Sequence, residues 1–374
     1  MSTAAVELGP IDRFPVGTVR MVHAAGRRLV VAHTAEDGVR VTDSACPHEG
    51  YGLAQGELAD GVLTCAWHNW KYRMADGTCL VGEEDLRLYP AGVRDGRVWA
   101  EVSDPSPGEA RPRLLASLRR GLDDGYVGQM ARDIVRLLRA DADPVQLIWE
   151  AVAWGAPRAE FGFGHALASL ADCLTLAERA QGDGRALPVV QAFAGIGEVE
   201  RRRPLRPRPD PLAYLPDQPG VAFRAAIDAE DLDGAEALLR AALAAGYEAD
   251  RIRPWFTSAV SDHHLSYGHG AIYVQKAFTL LDRLGWDRAD TVLAPLVPAV
   301  GYGTREDKLP YMRGFVRAIA DLDLAALADA DPEPGWRDDG RLAGALLGRD
   351  ARRVATEASR AIGQGAGVEG LLDA

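Results

Sequence analysis

Long apolar runs are missing from this 374-residue chain: no stretch of about twenty apolar residues occurs, so no segment is expected to span a bilayer as a helix. Basic surplus is missing too. The formal net charge is −12, with acidic residues spread along the chain and not gathered in a tail. That balance argues against general nucleic-acid binding and against attraction to an anionic membrane. Cysteine is scarce. Of Cys46, Cys65, Cys79 and Cys173, two sit at metal-ligand spacing, which leaves too few for a disulfide framework. The opening residues Met1 to Leu8 lack a basic region followed by an apolar core, so no secretory signal is expected and a cytoplasmic location is.

What is present falls into two textures. Thr18–Val22, Arg28–Thr34, Gly38–Asp43, Gly61–Cys65, Lys71–Arg73 and Arg97–Val102 read as short strands, and Asp76-Gly77 and Asp95-Gly96 read as hairpin turns. Three prolines between Ser103 and Pro112 then read as a linker. Beyond it, apolar residues recur at helical spacing in Leu114–Leu118, Ala131–Ala140, Val145–Trp154, Gly164–Arg179, Asp233–Ala245, Gly270–Leu284 and Tyr311–Leu327. The expected fold is α+β and multi-domain: an all-β domain over 1–103, a linker over 104–112, and a mostly α-helical part. A proline- and arginine-rich connector, 201–220, divides that part into 113–200 and 221–374.

The two helical halves look alike. Glu160-Phe-Gly-Phe-Gly-His165 lines up with His264-Leu-Ser-Tyr-Gly-His269, and the match runs without a gap into Leu174–Arg179 against Phe278–Arg283. An aromatic-Gly-His shared at the start of each segment favours an internal duplication.

Cys46-Pro-His48 and Cys65-Ala-Trp-His68 are separated by sixteen residues. A [2Fe–2S] centre with two histidines takes one Cys and one His from each of two loops, so that one iron holds both thiolates and the other both imidazoles. Tetrahedral zinc also accepts Cys₂His₂, but zinc fingers place a helix over the second pair, and here the surroundings read as strands. The segments Cys46-Pro-His-Glu-Gly50 and Cys65-Ala-Trp-His-Asn-Trp-Lys-Tyr72 resemble the ligand loops of Rieske proteins, over about residues 10–103. The resemblance implies a [2Fe–2S] cluster on Cys46, His48, Cys65 and His68. No cysteine pair remains for the disulfide of respiratory Rieske subunits, which implies the ferredoxin or oxygenase type. Trp67 and Tyr72 flank the second loop and are expected to shield it from water. Cys79 and Cys173 read as structural, and His23 and His33 as surface or packing residues.

The four remaining histidines, His165, His263, His264 and His269, all fall in the two matched segments. If the halves pack about a pseudo-twofold axis, Glu160, His165, His264 and His269 converge on one centre suited to iron, manganese or zinc, iron first. Residues five apart on an α-helix are turned about 140° from one another, so the first of each pair must sit in the loop before its helix. Asp262 and His263 are reserve candidates. Ordinary alternatives stand beside this: a histidine at a helix start that only hydrogen-bonds, or a pocket without metal. Rieske oxygenases join their cluster domain to one holding mononuclear iron on two histidines and a carboxylate, often with a His-x₄-His pair. His264 and His269 match that spacing, while the contiguous Asp262-His263-His264 and the all-helical texture depart from the pattern. The two Gly-His segments also resemble the histidine-bearing helices of questin-oxidase-like proteins.

The expectation is an oxidoreductase. An external reductase or ferredoxin reduces the cluster, and electrons pass to the helical site for O₂-dependent oxidation of a small organic molecule oriented by Tyr267, Tyr273 and Lys276. A homo-oligomer follows if the passage within one chain is too long. The rival is an electron carrier or redox sensor whose helical domain docks a partner protein.

Overall fold

The computed structural model describes residues 4–82, 84–261, 264–320 and 322–374. It divides into two compact units: residues 1–158 with 169–203, and residues 159–168 with 204–374.

In the first unit, short strands alternate with Gly- and Asp-led turns: β1 (Ala4–Pro10), β2 (Thr18–Ala24), β3 (Arg27–Thr34), β4 (Gly38–Asp43), β5 (Glu57–Ala59), β6 (Val62–Thr64), β7 (Lys71–Arg73), β8 (Cys79–Val81), β9 (Leu88–Tyr89), β10 (Ala91–Arg94) and β11 (Arg97–Val102). They form three antiparallel sheets, ordered β1-β11-β10, β2-β3-β4-β9 and β5-β6-β7-β8. The strand β3 explains the layering. Its run Leu29-Val30-Val31-Ala32 is fully buried, and side chains on a strand alternate between faces. Leu29 and Val31 therefore enter one core with Phe14, Val41 and Val98. Val30 and Ala32 enter another with Leu53, Leu63, Tyr72 and the two ligand-loop cysteines. At about 1.5–3 kcal/mol per fully buried Val or Leu, this strand anchors the cysteine loops to the rest of the sheet.

The same unit contains α1 (Pro107–Asp124), α2 (Val127–Arg139), α3 (Pro144–Gly155), most of α4 (His165–Arg179) and α5 (Ala186–Glu200). The expected linker is a helix start. Pro107 occupies the first helical position, where a missing N–H costs nothing, and Ser106 with Glu109 forms a capping box. Asp104 is ion-paired to Arg27 and Arg87. Proline richness here marks a helix N-terminus anchored to the sheets, and α1 and α2 belong to one compact unit with them. The expected division at 103–112 does not coincide with the boundary between units.

The second unit holds the first turn of α4 and a run of helices: α6 (Pro219–Asp228), α7 (Leu232–Ala244), α8 (Ala249–Ser261), α9 (His269–Leu284), α10 (Ala289–Leu293), α11 (Leu296–Gly301), α12 (Arg313–Ala320), α13 (Leu324–Ala328), α14 (Arg341–Leu346), α15 (Ala351–Gly363) and α16 (Val368–Asp373). Phe223, Phe256 and Phe278 meet in its core, with ring centroids 5.0 and 6.3 Å apart. Residues 201–218 form neither helix nor strand. Arginines of that connector are occupied internally: Arg206 pairs with buried Glu236 at 2.6 Å, and Arg208 with Asp290 at 2.8 Å.

Candidate functional site

The two cysteine loops are built alike. In the first, the Cys46 N–H donates to the Tyr51 carbonyl at 2.8 Å and the Gly50 N–H donates to the Cys46 carbonyl at 2.9 Å. In the second, the Cys65 N–H donates to the Trp70 carbonyl at 2.8 Å and the Asn69 N–H to the Cys65 carbonyl at 3.2 Å. Each loop closes through a left-handed residue at the same place, Gly50 (φ 79°) and Asn69 (φ 62°), the conformation that Gly and Asn tolerate best. One backbone frame thus presents a cysteine twice, with a histidine two residues on in one loop and three residues on in the other.

Cys46 and Cys65 are 3% and 2% exposed. The His48 and His68 rings stand edge to face at 4.5 Å, and atoms of His48, Glu49 and His68 approach within the reach of a shared ion. The donor set fits a cluster. His48 Nδ1 is buried with no hydrogen-bond partner, and an orphaned ring nitrogen is what a metal ligand looks like without its metal. Burial, then the neighbouring His68, holds the His48 imidazole below its ordinary value and so in the neutral, ligating form. Burial pushes the Cys46 thiol up, against the Tyr72 hydroxyl and the His48 backbone N–H, which favour the thiolate, the form that a metal would bind. Tyr72, fully buried, places its hydroxyl 3.2 Å from Cys46 Sγ, and burial keeps that phenol protonated far above its ordinary value.

Shielding falls to a different tryptophan than expected. Trp67 is 54% exposed and stacks on Tyr51 at 4.3 Å. Trp70 stacks on His48 at 4.6 Å and 15°, backed by Gly82, where a Cβ would strike the indole. His48 is half-buried and His68 exposed, with its Nε2 3.7 Å from Glu49. Cys79 and Cys173 are free thiols, and His33 Nδ1 donates to the Phe14 carbonyl at 2.6 Å.

In the second unit, His165 and His269 both open helices, as the repeat alignment places them, and their rings meet at 4.9 Å. The Tyr273 hydroxyl lies 3.2 Å from His165 Nδ1; burial raises that phenol. His269 Nδ1 donates to the Ser266 carbonyl at 2.6 Å, which leaves Nε2 as the nitrogen with a free lone pair. The carbonyl sits on a strained segment: His264, Ser266 and Tyr267 all have positive φ (42°, 50° and 57°). Such strain persists only where surrounding contacts enforce it. Here the Ser266 N–H donates to the Thr304 carbonyl at 2.8 Å, and the Ser266 hydroxyl accepts from the Thr304 N–H at 3.0 Å.

The expected four-ligand centre is not assembled from the other residues. Glu160 and His264 are exposed, and among the described residues no three of Glu160, His165, His264 and His269 come within the reach of a shared ion. The cause is local. Gly162 (φ 87°) packs against the α11 backbone, where a Cβ would lie 2.5 Å from the Ala299 nitrogen, and the turn leaves Glu160 on the surface. His264 is carried away by its own left-handed backbone. Tyr267 is 71% exposed and stands parallel to Tyr311, and Lys276 is half-buried on α9. Asp262 and His263 lie outside the described residues. Among those described, no helix is long and apolar enough to cross a membrane.

Comparison with known proteins agrees with the geometry of the first site. A family model of the Rieske [2Fe–2S] domain matches residues 4–89. The 3-chlorobenzoate-3,4-dioxygenase oxygenase subunit of Comamonas testosteroni is 33% identical over 100 residues, 24% of this chain and 23% of that protein. A probable 3-ketosteroid-9-alpha-monooxygenase oxygenase component of Rhodococcus rhodochrous is 40% identical over 99 residues, 26% of this chain and 24% of that protein. The chain therefore spans about a quarter of the length of these relatives. Among solved structures, dicamba monooxygenase bound to dicamba aligns at 20% identity and TM-score 0.26, over 28% of this chain and 33% of that one. The ferredoxin of carbazole 1,9a-dioxygenase from Nocardioides aromaticivorans IC177 aligns at 20% and 0.25, over 27% of this chain and 100% of that one. Residues 4–89 are thus a Rieske [2Fe–2S] domain, here joined to a largely helical region.

Proposed function

We propose that this chain is a Rieske-type oxidoreductase. Cys46, His48, Cys65 and His68 hold its [2Fe–2S] cluster, and electrons from an external ferredoxin or reductase serve O₂-dependent oxidation of a small organic molecule at the His165–His269 pair. When bound, the cluster supplies one-electron transfer. The carrying observation is that pair: histidines from the two matched segments meet, with Tyr273 bonded to one and the Ser266 carbonyl fixing the tautomer of the other. His269 Nε2 is thereby ready to take a proton or bind a metal, iron being the proposed occupant, and Tyr273 holds His165 in place. Tyr267 and Lys276 are proposed to orient substrate. Glu160 and His264 join as ligands only if the segment rearranges on binding. The free thiols suit a reducing, cytoplasmic setting. A homo-oligomer, in which one copy supplies electrons to another, is part of the same reading.

The rival reading, an electron carrier or sensor whose helical region docks a partner, is favoured by the lack of a third ligand beside the pair among the described residues. Metal analysis separates them. Anaerobically purified protein should hold iron in excess of acid-labile sulfide, or stoichiometric manganese or zinc. His165→Ala with His269→Ala should remove that excess while leaving sulfide unchanged. Iron equal to sulfide in both proteins, with no other metal and no loss of electron transfer in the double variant, would support the carrier.

A further inference from the structure

Helix α6 begins at an open groove of about 660 Å³ in the second unit, walled by α6 and α8. The first turn of the helix is left uncapped. Gln218 stands at the N-cap position without a side-chain bond to the turn, and Pro219 follows it with no N–H to offer. The Ala222 N–H is the first to be taken up, donating to the Gln218 carbonyl at 3.1 Å. The Gly220 and Val221 N–H groups therefore meet no acceptor among the described residues, and both residues line the groove.

A third donor lies beside them. Trp255, on α8, is 8% exposed and lines the same groove. Its ring packs against Phe223 at 5.6 Å and Tyr247 at 6.1 Å, which fixes the indole in the core. Its carbonyl accepts from the Ser258 hydroxyl at 3.1 Å, whereas its Nε1–H donates to no described residue. A buried indole N–H normally has a partner. Gly220 explains how close the donors come: a Cβ there would lie 2.7 Å from Trp255 Nε1, so glycine alone lets the helix start against the indole. The charged groups of the lining are engaged with one another. Arg224 bonds Asp228 at 3.0 Å and the Ser258 carbonyl at 2.9 Å, tying α6 to α8. Asp228 also faces Arg305 at 3.7 Å.

We propose that this groove binds an amphipathic monocarboxylate, a small organic acid with an apolar body. The carboxylate accepts from the Gly220, Val221 and Trp255 N–H groups, at the positive end of α6. The body lies along Val221, Ala225 and Pro254, which supply the apolar wall. A carboxylate suits neighbouring donors because its two oxygens accept about four bonds between them. Asp228 on the same wall disfavours a head of higher charge, such as a phosphate. The site is built from α6 and α8 alone. It uses neither the cluster nor the His165–His269 pair and does not depend on the function proposed above.

The test uses octanoate as the probe and the full-length, cluster-loaded protein carrying isotope-labelled tryptophan. Of the eight indole N–H signals, the one lost in Trp255→Phe should move saturably with octanoate in the parent, and calorimetry should give one site per chain. Octanol, the same chain without the charge, should bind about tenfold more weakly, and Trp255→Phe should weaken octanoate by a similar factor. Val221→Asp places a fixed negative charge in the first turn, where it suits the helix and repels a second anion; affinity should fall by about tenfold or more. Val221→Asn loses the same apolar surface without the charge, so affinity should fall only a few-fold. No saturable binding at millimolar octanoate, or binding that leaves the Trp255 indole signal unmoved, would overturn the proposal. Equal affinity for octanoate and octanol would overturn it too, leaving an apolar groove with no carboxylate site. Should Trp255→Phe fail to fold, the Val221 variants decide, since equal affinities in Val221→Asp and Val221→Asn would show that no anion sits at the start of α6.

Discussion

The sequence carries two pairs of similar histidine-bearing segments, one pair in the sheets and one in the helices, and the two pairs differ in closure. In the Rieske domain, two loops share one hydrogen-bond pattern, their cysteines are buried, and their left-handed positions are filled by Gly50 and Asn69. In the helical region, the matched segments differ in backbone. One turns at Gly162, while the other forces His264, Ser266 and Tyr267 into left-handed geometry, and His165 stays exposed. The first arrangement is set within each loop and needs only sheet pairing to bring the loops together. The second depends on tertiary clamps, the Ser266–Thr304 bonds and the packing of Gly162 on α11. A site fixed by local geometry tolerates distant change, whereas one fixed by clamps fails when any of them is removed.

The largest effect that would break this contrast is expected at Gly162. Gly162→Ala introduces a Cβ 2.5 Å from the Ala299 nitrogen and 2.7 Å from the Pro295 carbonyl oxygen, at a φ of 87°. Strain and backbone displacement together should cost about 2–4 kcal/mol. Chemical denaturation should show a lowered midpoint. Nuclear magnetic resonance should show His165 and Tyr273 separated, while the cluster signal is retained. Disappearance of the cluster signal together with that separation would mean that the two sites are not independently held.

Buried orphan groups sharpen the comparison on the cradle side. Among the described residues, His48 Nδ1 has no hydrogen-bond partner and is open to a metal, whereas fully buried Asp133 has only Arg136 Nη1, 3.5 Å from its Oδ1, as an ion-pair partner. Burial pushes its carboxyl from 3.8 up to about 6. The folded state therefore holds the proton more tightly than the unfolded chain. The stabilisation is fully present below about pH 4 and is lost as pH rises through about 6, by at most about 3 kcal/mol. Asp133→Asn, which keeps the shape of the protonated acid, should remove this slope and gain stability at pH 7 relative to pH 4.5. Urea midpoints at the two pH values measure it, and an unchanged slope in the variant would show that Asp133 is not the group responsible.

The sheets were legible where strands carry an apolar pattern. Thr18–Val22, Arg28–Thr34, Gly38–Asp43 and Arg97–Val102 lie within or match β2, β3, β4 and β11. Two- and three-residue strands such as β8 and β9 are too short to show a period. The cluster ligands were legible because Cys-x-His and Cys-x-x-His are local. Trp70 was not, since stacking on His48 depends on how the second loop turns back toward the first. The contact of α2 with the loop after β8 was not legible either, because an ion pair between Arg136 and Glu84, 52 residues apart, leaves no mark on helical periodicity. In the helical region the alignment placed His165 and His269 at helix starts, yet it paired Glu160 with His264 where the structure brings in Tyr273. The repeat equates sequence positions, and the left-handed turn before α9 breaks the equivalence in space.

The smallest expected effect lies at the most enclosed point of the cradle. The Tyr72 hydroxyl is 3.2 Å from Cys46 Sγ, on a residue with no exposure. Once Cys46 is a metal-bound thiolate, the phenol is the donor in that bond. Its strength grows as reduction places more charge on the sulfur. Tyr72→Phe keeps the ring in its core and removes only the donor, so folding should lose about 1 kcal/mol or less. The reduced-to-oxidised ratio at a fixed potential should fall several-fold, a midpoint lower by some tens of millivolts. Potentiometric titration of the cluster-loaded protein measures the shift, and an unmoved midpoint in Tyr72→Phe would mean that the phenol does not strengthen its bond to Cys46 on reduction.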